Sequence, residues 1–348
     1  MVKGITFIGE CQASVNHAGN KARADVDVIL REKYGFPYET LGETIFTGFL
    51  DRIKYLLKFS ALQQIRRIRQ LHSQKVIMQY PFYFKTSLKK ALRDSLKKNE
   101  VIIFVHDVDS LRDIKGADIR TEIGELNLAK AVIVHNNTMG SALQNLGLKV
   151  PWFSLGLFDY LLPCIPERSF SKGTTVVFAG NLGKSEFLCN AEIETLGLHF
   201  NLYGPNFCKE SIKWENVSYK GSFPPDEVPL KLEGSFGLVW DGTDVRTCDG
   251  PTGTYMKYNN PHKLSLYIAA GLPVVVWRQA AIADFVETNN IGITIESLTD
   301  ISKRIQTLSV SEYNEMAMAV KKLQKQVVSG SFTRRCLKIV EGQILDTV

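Results

Sequence analysis

Lys263 is the residue whose setting says most about chemistry. It opens a run, Pro261-His-Lys-Leu-Ser-Leu-Tyr-Ile-Ala-Ala270, that closes on Gly271-Leu-Pro273. Pro261 suits a first helical position, where its missing N–H would have been unpaired anyway. Leu264, Tyr267 and Ile268 recur at i, i+3 and i+4 and give the helix one apolar face. Gly271 ends the helix and Pro273 prevents its continuation. His262 and Lys263 therefore fall in the first turn, beside unpaired backbone N–H groups, where a helix holds an anion such as a diphosphate. A merely solvated lysine would oppose the helix dipole there unless an anion screened it. Of Asn259 and Asn260, one could cap the helix and the other could hydrogen-bond a ligand. His262 suits packing as well as ligand contact.

Other candidates also follow apolar runs. Gly180-Asn-Leu-Gly-Lys184 has glycines that permit close backbone approach and a lysine that could reach a phosphate, although an ordinary tight turn has the same composition. Asn181 and Lys184 are the residues to watch. Asp241-Gly-Thr-Asp244 has the spacing D-x-x-D, not D-x-D, so it reads as a turn and not a metal site, with Asp241 available to ligand hydroxyls. His106-Asp107 stands at the end of Val101–Val105. A carboxylate or imidazole there could accept a proton from a hydroxyl nucleophile; Asp107 could equally cap the next helix. In Gly9-Glu-Cys-Gln-Ala-Ser-Val-Asn-His17, Gln12, Ser14 and Asn16 are polar residues after a strand, able to face a ligand across a cleft. Thr247–Lys257, with two glycines and a proline, reads as a mobile stretch: a lid, an acceptor loop or simple disorder.

The elements that must position these residues form two series. Strand candidates are Gly4–Gly9, Val76–Tyr80, Val101–Val105 and Ala131–Val134, then Thr174–Ala179, His199–Tyr203, Phe236–Trp240 and Pro273–Trp277. Helical patterns separate most of them, the signature of parallel βαβ sheets. The expected fold class is α/β, with two doubly wound Rossmann-like domains facing a cleft: residues 1–155, then 156–330, joined near Val150–Phe158. A tail helix over 331–348 would carry Leu337, Val340 and Ile344 on one face. A chain of 348 residues, 45% hydrophobic and 22% charged, suits two globular domains. No apolar run reaches the length of a membrane span, and the N-terminus reads as a strand and not a secretion signal. Six scattered cysteines without a C-x-x-C pair fit reduced thiols in a cytoplasmic protein and argue against zinc.

The net charge of +6 is concentrated: residues 51–100 hold thirteen Lys/Arg against three Asp/Glu. Arg52–Arg69 is a basic amphipathic pattern with Ile53, Leu56, Leu57, Ile65 and Ile68 as its apolar stripe. The stripe could pack on a core, or the helix could dock on an anionic membrane with Phe82, Tyr83 and Phe84 as anchors. No nucleic-acid-binding module is present.

Tyr258–Trp277 resembles the donor-phosphate helix of GT-B sugar-nucleotide transferases. It is similar above all to that of bacterial β-1,6-galactofuranosyltransferases and the related glucosyltransferases of streptococcal adhesin glycosylation. Phe178–Phe187, Ser235–Asp241, Phe332-Thr-Arg-Arg335 and Val101–Val108 extend the resemblance. It implies a hexosyltransferase that moves galactofuranose or glucose from a UDP-sugar to a glycan or lipid-linked acceptor, with no metal or other cofactor. It further implies a base and ribose pocket near Tyr203 and Phe223, donor contacts at Asn181, Lys184, Asn259 and Lys263, a tail crossing back to the first domain, and Asp107 as base if the sugar is galactofuranose. Such a protein would be cytoplasmic, with a peripheral place at the inner face of the plasma membrane and a homo-oligomeric state as further expectations. The rival expectation is a non-catalytic subunit that binds a nucleotide sugar or a partner enzyme.

Overall fold

A computed structural model describes residues 4–11, 18–42, 59–82, 86–169 and 171–345. Gln12, Ser14 and Asn16 lie outside the described residues, as do Ile53, Leu56, Leu57, Tyr83 and Phe84.

Six strands make the first sheet: β1 (Ile5–Cys11), β2 (Glu39–Gly42), β3 (Lys75–Tyr80), β4 (Glu100–Val105), β5 (Ala131–Val134) and β6 (Trp152–Ser154). They run in the order β2-β1-β3-β4-β5-β6 with parallel pairing throughout. Helices α1 (Ala18–Tyr34), α2 (Phe59–Gln70), α3 (Thr86–Leu96), α4 (Ile119–Leu126) and α5 (Asn137–Asn145) connect them. Val101–Val105 is apolar without alternation because helices cover both faces of β4 and bury all five of these residues.

The second sheet comprises β7 (Thr175–Ala179), β8 (His199–Tyr203), β9 (Val217–Gly221), β10 (Phe236–Val239), β11 (Val274–Trp277) and β12 (Gly292–Ile295). Its order is β12-β11-β10-β7-β8-β9, again all parallel. Its helices are α6 (Gly250–Tyr255), α7 (His262–Ala269), α8 (Ala283–Thr288), α9 (Ile301–Thr307) and α10 (Val310–Val328), with single turns at Glu192–Thr195 and Val228–Lys231. Two doubly wound sheets of this kind are the GT-B architecture expected above.

In each sheet the chain reverses its direction of travel at one point: between β1 and β3 in the first, between β7 and β10 in the second. Loops leaving neighbouring strands there part to opposite faces and open a crevice at the carboxyl ends. The fold thus names two places for chemistry before any side chain is considered.

β2, β6, β9 and β12 were not announced by apolar runs, and all four are edge strands. β6 lies inside the stretch expected to be a linker, and pairs with β5 through Trp152, Phe153 and Ser154. The tail helix α11 (Ser331–Val340) packs on α1 and β6 of the first domain. Asp159 fixes its start, its carboxylate accepting the N–H groups of Phe332 (3.1 Å) and Thr333 (2.7 Å). Beyond α11, Glu341 accepts the Tyr34 hydroxyl and pairs with Lys33 at 2.8 Å. No helix among the described residues is long and apolar enough to cross a membrane.

Candidate functional site

At the β7/β10 crevice, Lys263 reaches back from the first turn of α7. Its Nζ lies 2.7 Å from each carboxylate oxygen of Asp241, 3.3 Å from the Trp240 carbonyl and 5.0 Å from the centroid of the Phe178 ring. Asp241 follows β10, and Gly180 follows β7. A Cβ on Gly180 would lie 3.0 Å from Lys263 Cε, so the glycine makes room for the lysine stem. Asp241 is the anion that screens the cation at the helix start; the sequence had suggested it only for ligand hydroxyls. The pair is not sealed: the side chains are 17% and 24% exposed.

Details around α7 differ from expectation. Pro261 is the N-cap and His262 the first helical residue, one position later than predicted. Neither asparagine caps the helix. Asn260 is buried and joins the two halves: its side chain donates to His135 O (2.7 Å) and Gly156 O (3.0 Å) and accepts from Asn136 (2.7 Å). Its bonding to the first domain leaves no free polar atom for a donor. Asn259 Oδ1 is buried without a hydrogen-bond partner, which keeps it a candidate. His262 stacks on Tyr160 at 5.0 Å and lies edge-on to Phe158, and burial pushes its pKa down to about 4. It is a packing residue.

The Gly180 loop continues into two short 3₁₀ turns, Leu182–Lys184 and Glu186–Cys189, and not into the expected helix. Asn181 caps the first turn, accepting Gly183 N (3.1 Å) and the Asn206 side chain (2.9 Å). Lys184 is exposed at its end. Gly204, at φ +132°, lies so near that a Cβ there would be 1.9 Å from the Gly180 carbonyl, so the loops after β7 and β8 meet backbone to backbone. Tyr203 is a core residue, 2% exposed, whose hydroxyl accepts Glu233 N at 3.0 Å; it offers no ring face to a base. Phe223 is part-buried and leans on Tyr203 with centroids 6.4 Å apart. It remains the aromatic candidate.

The first domain presents a different set at the carboxyl ends of β1, β3 and β4. Arg23 forks onto both oxygens of Glu10 (2.6 and 2.7 Å) and donates to Pro81 O. Gln79 bridges Asp27 (2.7 Å) and His106 Nε2. His106 is sandwiched by Phe104 and Phe158, and burial drives its pKa well below the usual imidazole value. Both ring nitrogens are enclosed, Nδ1 without a partner, so His106 does not face a nucleophile. Asp107 does reach the cleft, with 30% of its side chain exposed. Its carboxylate does not cap the following turn, where Val108 is the N-cap without a side-chain bond. It pairs instead with Arg112 at 3.0 Å. Desolvation raises its pKa to about 6 against the pull of Arg112, leaving an ionised carboxylate at neutral pH that can still accept a proton.

Sequence reasoning missed the residues that hold this loop. Glu122, on α4, is buried and accepts Asp109 N (3.0 Å), Ser110 N (2.9 Å) and the Ser110 hydroxyl. Tyr255 reaches it from the other domain. The stretch expected to be a mobile lid, Thr247–Lys257, contains α6, docked on the turn Asp109–Arg112. A carboxylate in a short amphipathic helix and a tyrosine in a glycine-rich stretch carry no sequence signal of these contacts. Groups of His, Cys, Asp or Glu that could hold a metal are absent among the described residues.

Two doubly wound parallel sheets, each with a crevice at its point of reversal, define the GT-B class. Comparison with known proteins narrows the class. The N-terminal domain of the "Glucosyltransferase 3-like" family matches residues 5–157, and its C-terminal domain matches residues 176–340. The chain is 30% identical to the β-1,6-galactofuranosyltransferase WbbI of Escherichia coli (strain K12) over 342 residues, 96% of this chain and 97% of that one. It is 30% identical to Glucosyltransferase 3 of Streptococcus gordonii over 269 residues, 75% and 77% of the two chains. Among solved structures, the fold is similar to the apo form of the lipopolysaccharide outer core galactosyltransferase WaaB (TM-score 0.58, 12% identity, 97% and 99% coverage) and to the glycosyltransferase AviGT4 (0.53, 12%, 99% and 98%). The chain belongs to the glucosyltransferase 3-like family and is a glycosyltransferase.

Proposed function

We propose that the protein transfers a hexose, galactofuranose or glucose, from a UDP-sugar to a hydroxyl of a glycan or glycoconjugate acceptor in the assembly of surface polysaccharide or glycoprotein. The observation that carries this reading is Lys263 at the start of α7, held by an exchangeable partner, Asp241, in an open crevice. A donor diphosphate would replace Asp241 at the ammonium and take up the first-turn N–H groups. These donors would stabilise the charge that grows on the departing UDP, in the role that a metal ion fills elsewhere. Asn181, Lys184, Asn259 and Phe223 complete the donor set. Across the cleft, Asp107 accepts the proton of the attacking hydroxyl. The names of the E. coli and S. gordonii relatives support galactofuranose and glucose as the two sugars to test first, and the former would imply inversion.

Contact with an anionic membrane belongs to the same reading. On α2, Ile65 and Ile68 are buried, so that part of the stripe is core; Leu62 is 56% exposed beside Arg66 and Arg69, on the outer face of the helix. A lipid-linked acceptor would be met at such a face.

The test is a panel of UDP- and GDP-sugars scored for binding and for slow donor hydrolysis. The proposal expects one UDP-hexose to bind and to be hydrolysed. Binding without any hydrolysis or transfer would favour a non-catalytic subunit, and preference for a GDP-sugar would overturn the donor class.

A further inference from the structure

We infer that Tyr255 is a positioning residue that ties the donor side of the cleft to the loop of Asp107, so that contacts made at Asp241 set the placement of the proton-accepting carboxylate. The inference rests on the reading above, in which Lys263 meets the donor diphosphate and Asp107 is the base.

Tyr255 ends α6, an element of the second domain, yet its ring is 2% exposed and belongs to the hydrophobic cluster of the first domain, with Val105, Val108 and Met139. Its hydroxyl accepts the N–H of Val108, the residue after Asp107, at 3.1 Å. That leaves the hydroxyl proton to donate, and Asp107 receives a side-chain hydrogen bond from it. The Arg112 guanidinium lies 6.0 Å from the ring centroid and at the same time grips the Asp107 carboxylate. One side chain thus touches the base, the peptide after it and its counter-ion. Glu122 fixes the loop from Asp109 onward, so Asp107 and Val108 are the portion left for Tyr255 to place.

The other end of the connection is rigid. Asp249, at the N-cap of α6, accepts Thr243 N (2.6 Å), the Thr243 hydroxyl (2.7 Å) and Asp244 N (3.2 Å), which knots the turn after Asp241. Gly253 sits directly on that turn: a Cβ there would lie 2.9 Å from the Asp241 carbonyl and 2.5 Å from the Cys248 carbonyl carbon. Asp249 and Gly253 thus tie α6 directly to the residues after Asp241. A diphosphate arriving at Lys263 repels the Asp241 carboxylate and competes for its partner. The displacement passes through α6 to the Tyr255 hydroxyl. Donor occupancy would in this way be communicated to the base before the acceptor is attacked.

Tyr255→Phe keeps the ring and deletes only the hydroxyl. Transfer kcat should fall about tenfold or more, since small misplacements of a reacting group cost that much. Equilibrium affinity for the UDP-sugar should stay within about twofold, because the hydroxyl makes no donor contact. The groups acting on Asp107 are Arg112, Asp109, Arg23 and Tyr255. Removing the Tyr255 bond, which favours the ionised form, should move the acid limb of the pH–rate profile to higher pH. Asp241→Asn combined with Tyr255→Phe should be non-additive in kcat. Wild-type kcat and an unmoved acid limb in Tyr255→Phe, with Asp107→Asn inactive, would overturn this inference alone. Additivity in the double variant would overturn the connection to Asp241. Full activity in Asp107→Asn would remove the base assignment, and the inference with it.

Discussion

The two crevices of this molecule are built on opposite plans. At the β7/β10 point the second domain offers backbone, glycines and one ion pair open to solvent. At the β1/β3 point the first domain offers a packed set of buried charges: Glu10 with Arg23, Asp27 with Gln79 and His106, Glu122 under the Asp107 loop. The difference suits the tasks proposed for the two crevices. A diphosphate brings its own charge, so its site needs room, N–H groups and a cation that can change partners. A base must keep one carboxylate at a fixed place and a shifted pKa, which requires neighbours already satisfied and water kept away.

The largest effect should come from the crowded side. Asp107→Asn should reduce transfer rate by about 10²- to 10⁴-fold, the usual worth of general base catalysis, with donor affinity little changed. The pH profile gives the same residue a second test. Its pKa is raised to about 6, so the carboxylate is ionised above that value and protonated below it. Activity should therefore fall as pH drops through about 6. An acid limb that stays in place in Asp107→Asn would assign it to another group.

The open side should break first through its backbone. Gly204→Ala places a methyl group 1.9 Å from the Gly180 carbonyl at a φ of +132°, so the loops after β7 and β8 must part. Donor affinity and melting temperature should fall together. Normal donor affinity in a folded variant would show that the glycine contact does not shape the donor loop. The effect of Asp159→Ala should be smaller and confined to stability. It strips two buried N–H groups of their carboxylate at the start of α11, at a cost of about 1.5–3 kcal/mol. Activity per folded molecule should be unchanged; a selective loss of kcat would mean that the tail does more than fasten the domains.

How much of this was legible in the sequence also divides by region. Central strands such as Val101–Val105 and Val274–Trp277 announced themselves because both faces are buried, leaving no polar alternation. The edge strands did not: β6 has three residues, and β9 alternates a valine and a tyrosine with serine and lysine on a half-exposed surface. Lys263 was readable because a helix start, its proline and its terminating glycine are local signals. Asp241 was read as a turn because its partner is 22 residues away. For Tyr203, Asn260 and His262 the sequence left ligand contact open beside core packing or capping, because they border loops that follow strands; their burial against distant residues is a property of packing that local pattern does not carry. Glu122 and Tyr255 went unnoticed for the same reason.

Two mild expectations complete the comparison. Chelation by EDTA should leave the rate unchanged if Lys263 and the α7 N–H groups do the work of a cation; loss of activity with rescue by Mn²⁺ or Mg²⁺ would reassign Asp241 and Asp244. Binding to anionic vesicles should weaken with salt and on replacing Arg66, Arg67 and Arg69 by Gln, each basic residue near the surface contributing about 1 kcal/mol. Wild-type protein that does not sediment with such vesicles at low salt would leave α2 as core packing alone.

The central claim is that Lys263 holds a nucleotide diphosphate by exchanging Asp241 for it. Calorimetric titration of UDP into the wild-type protein and into Lys263→Ala, without added metal, tests it most directly. The account predicts saturable binding to the wild type, weakened about tenfold or more in a variant that remains folded, as expected for loss of a charge-assisted contact of about 1.5–3 kcal/mol. Equal UDP affinity in the two proteins would contradict it.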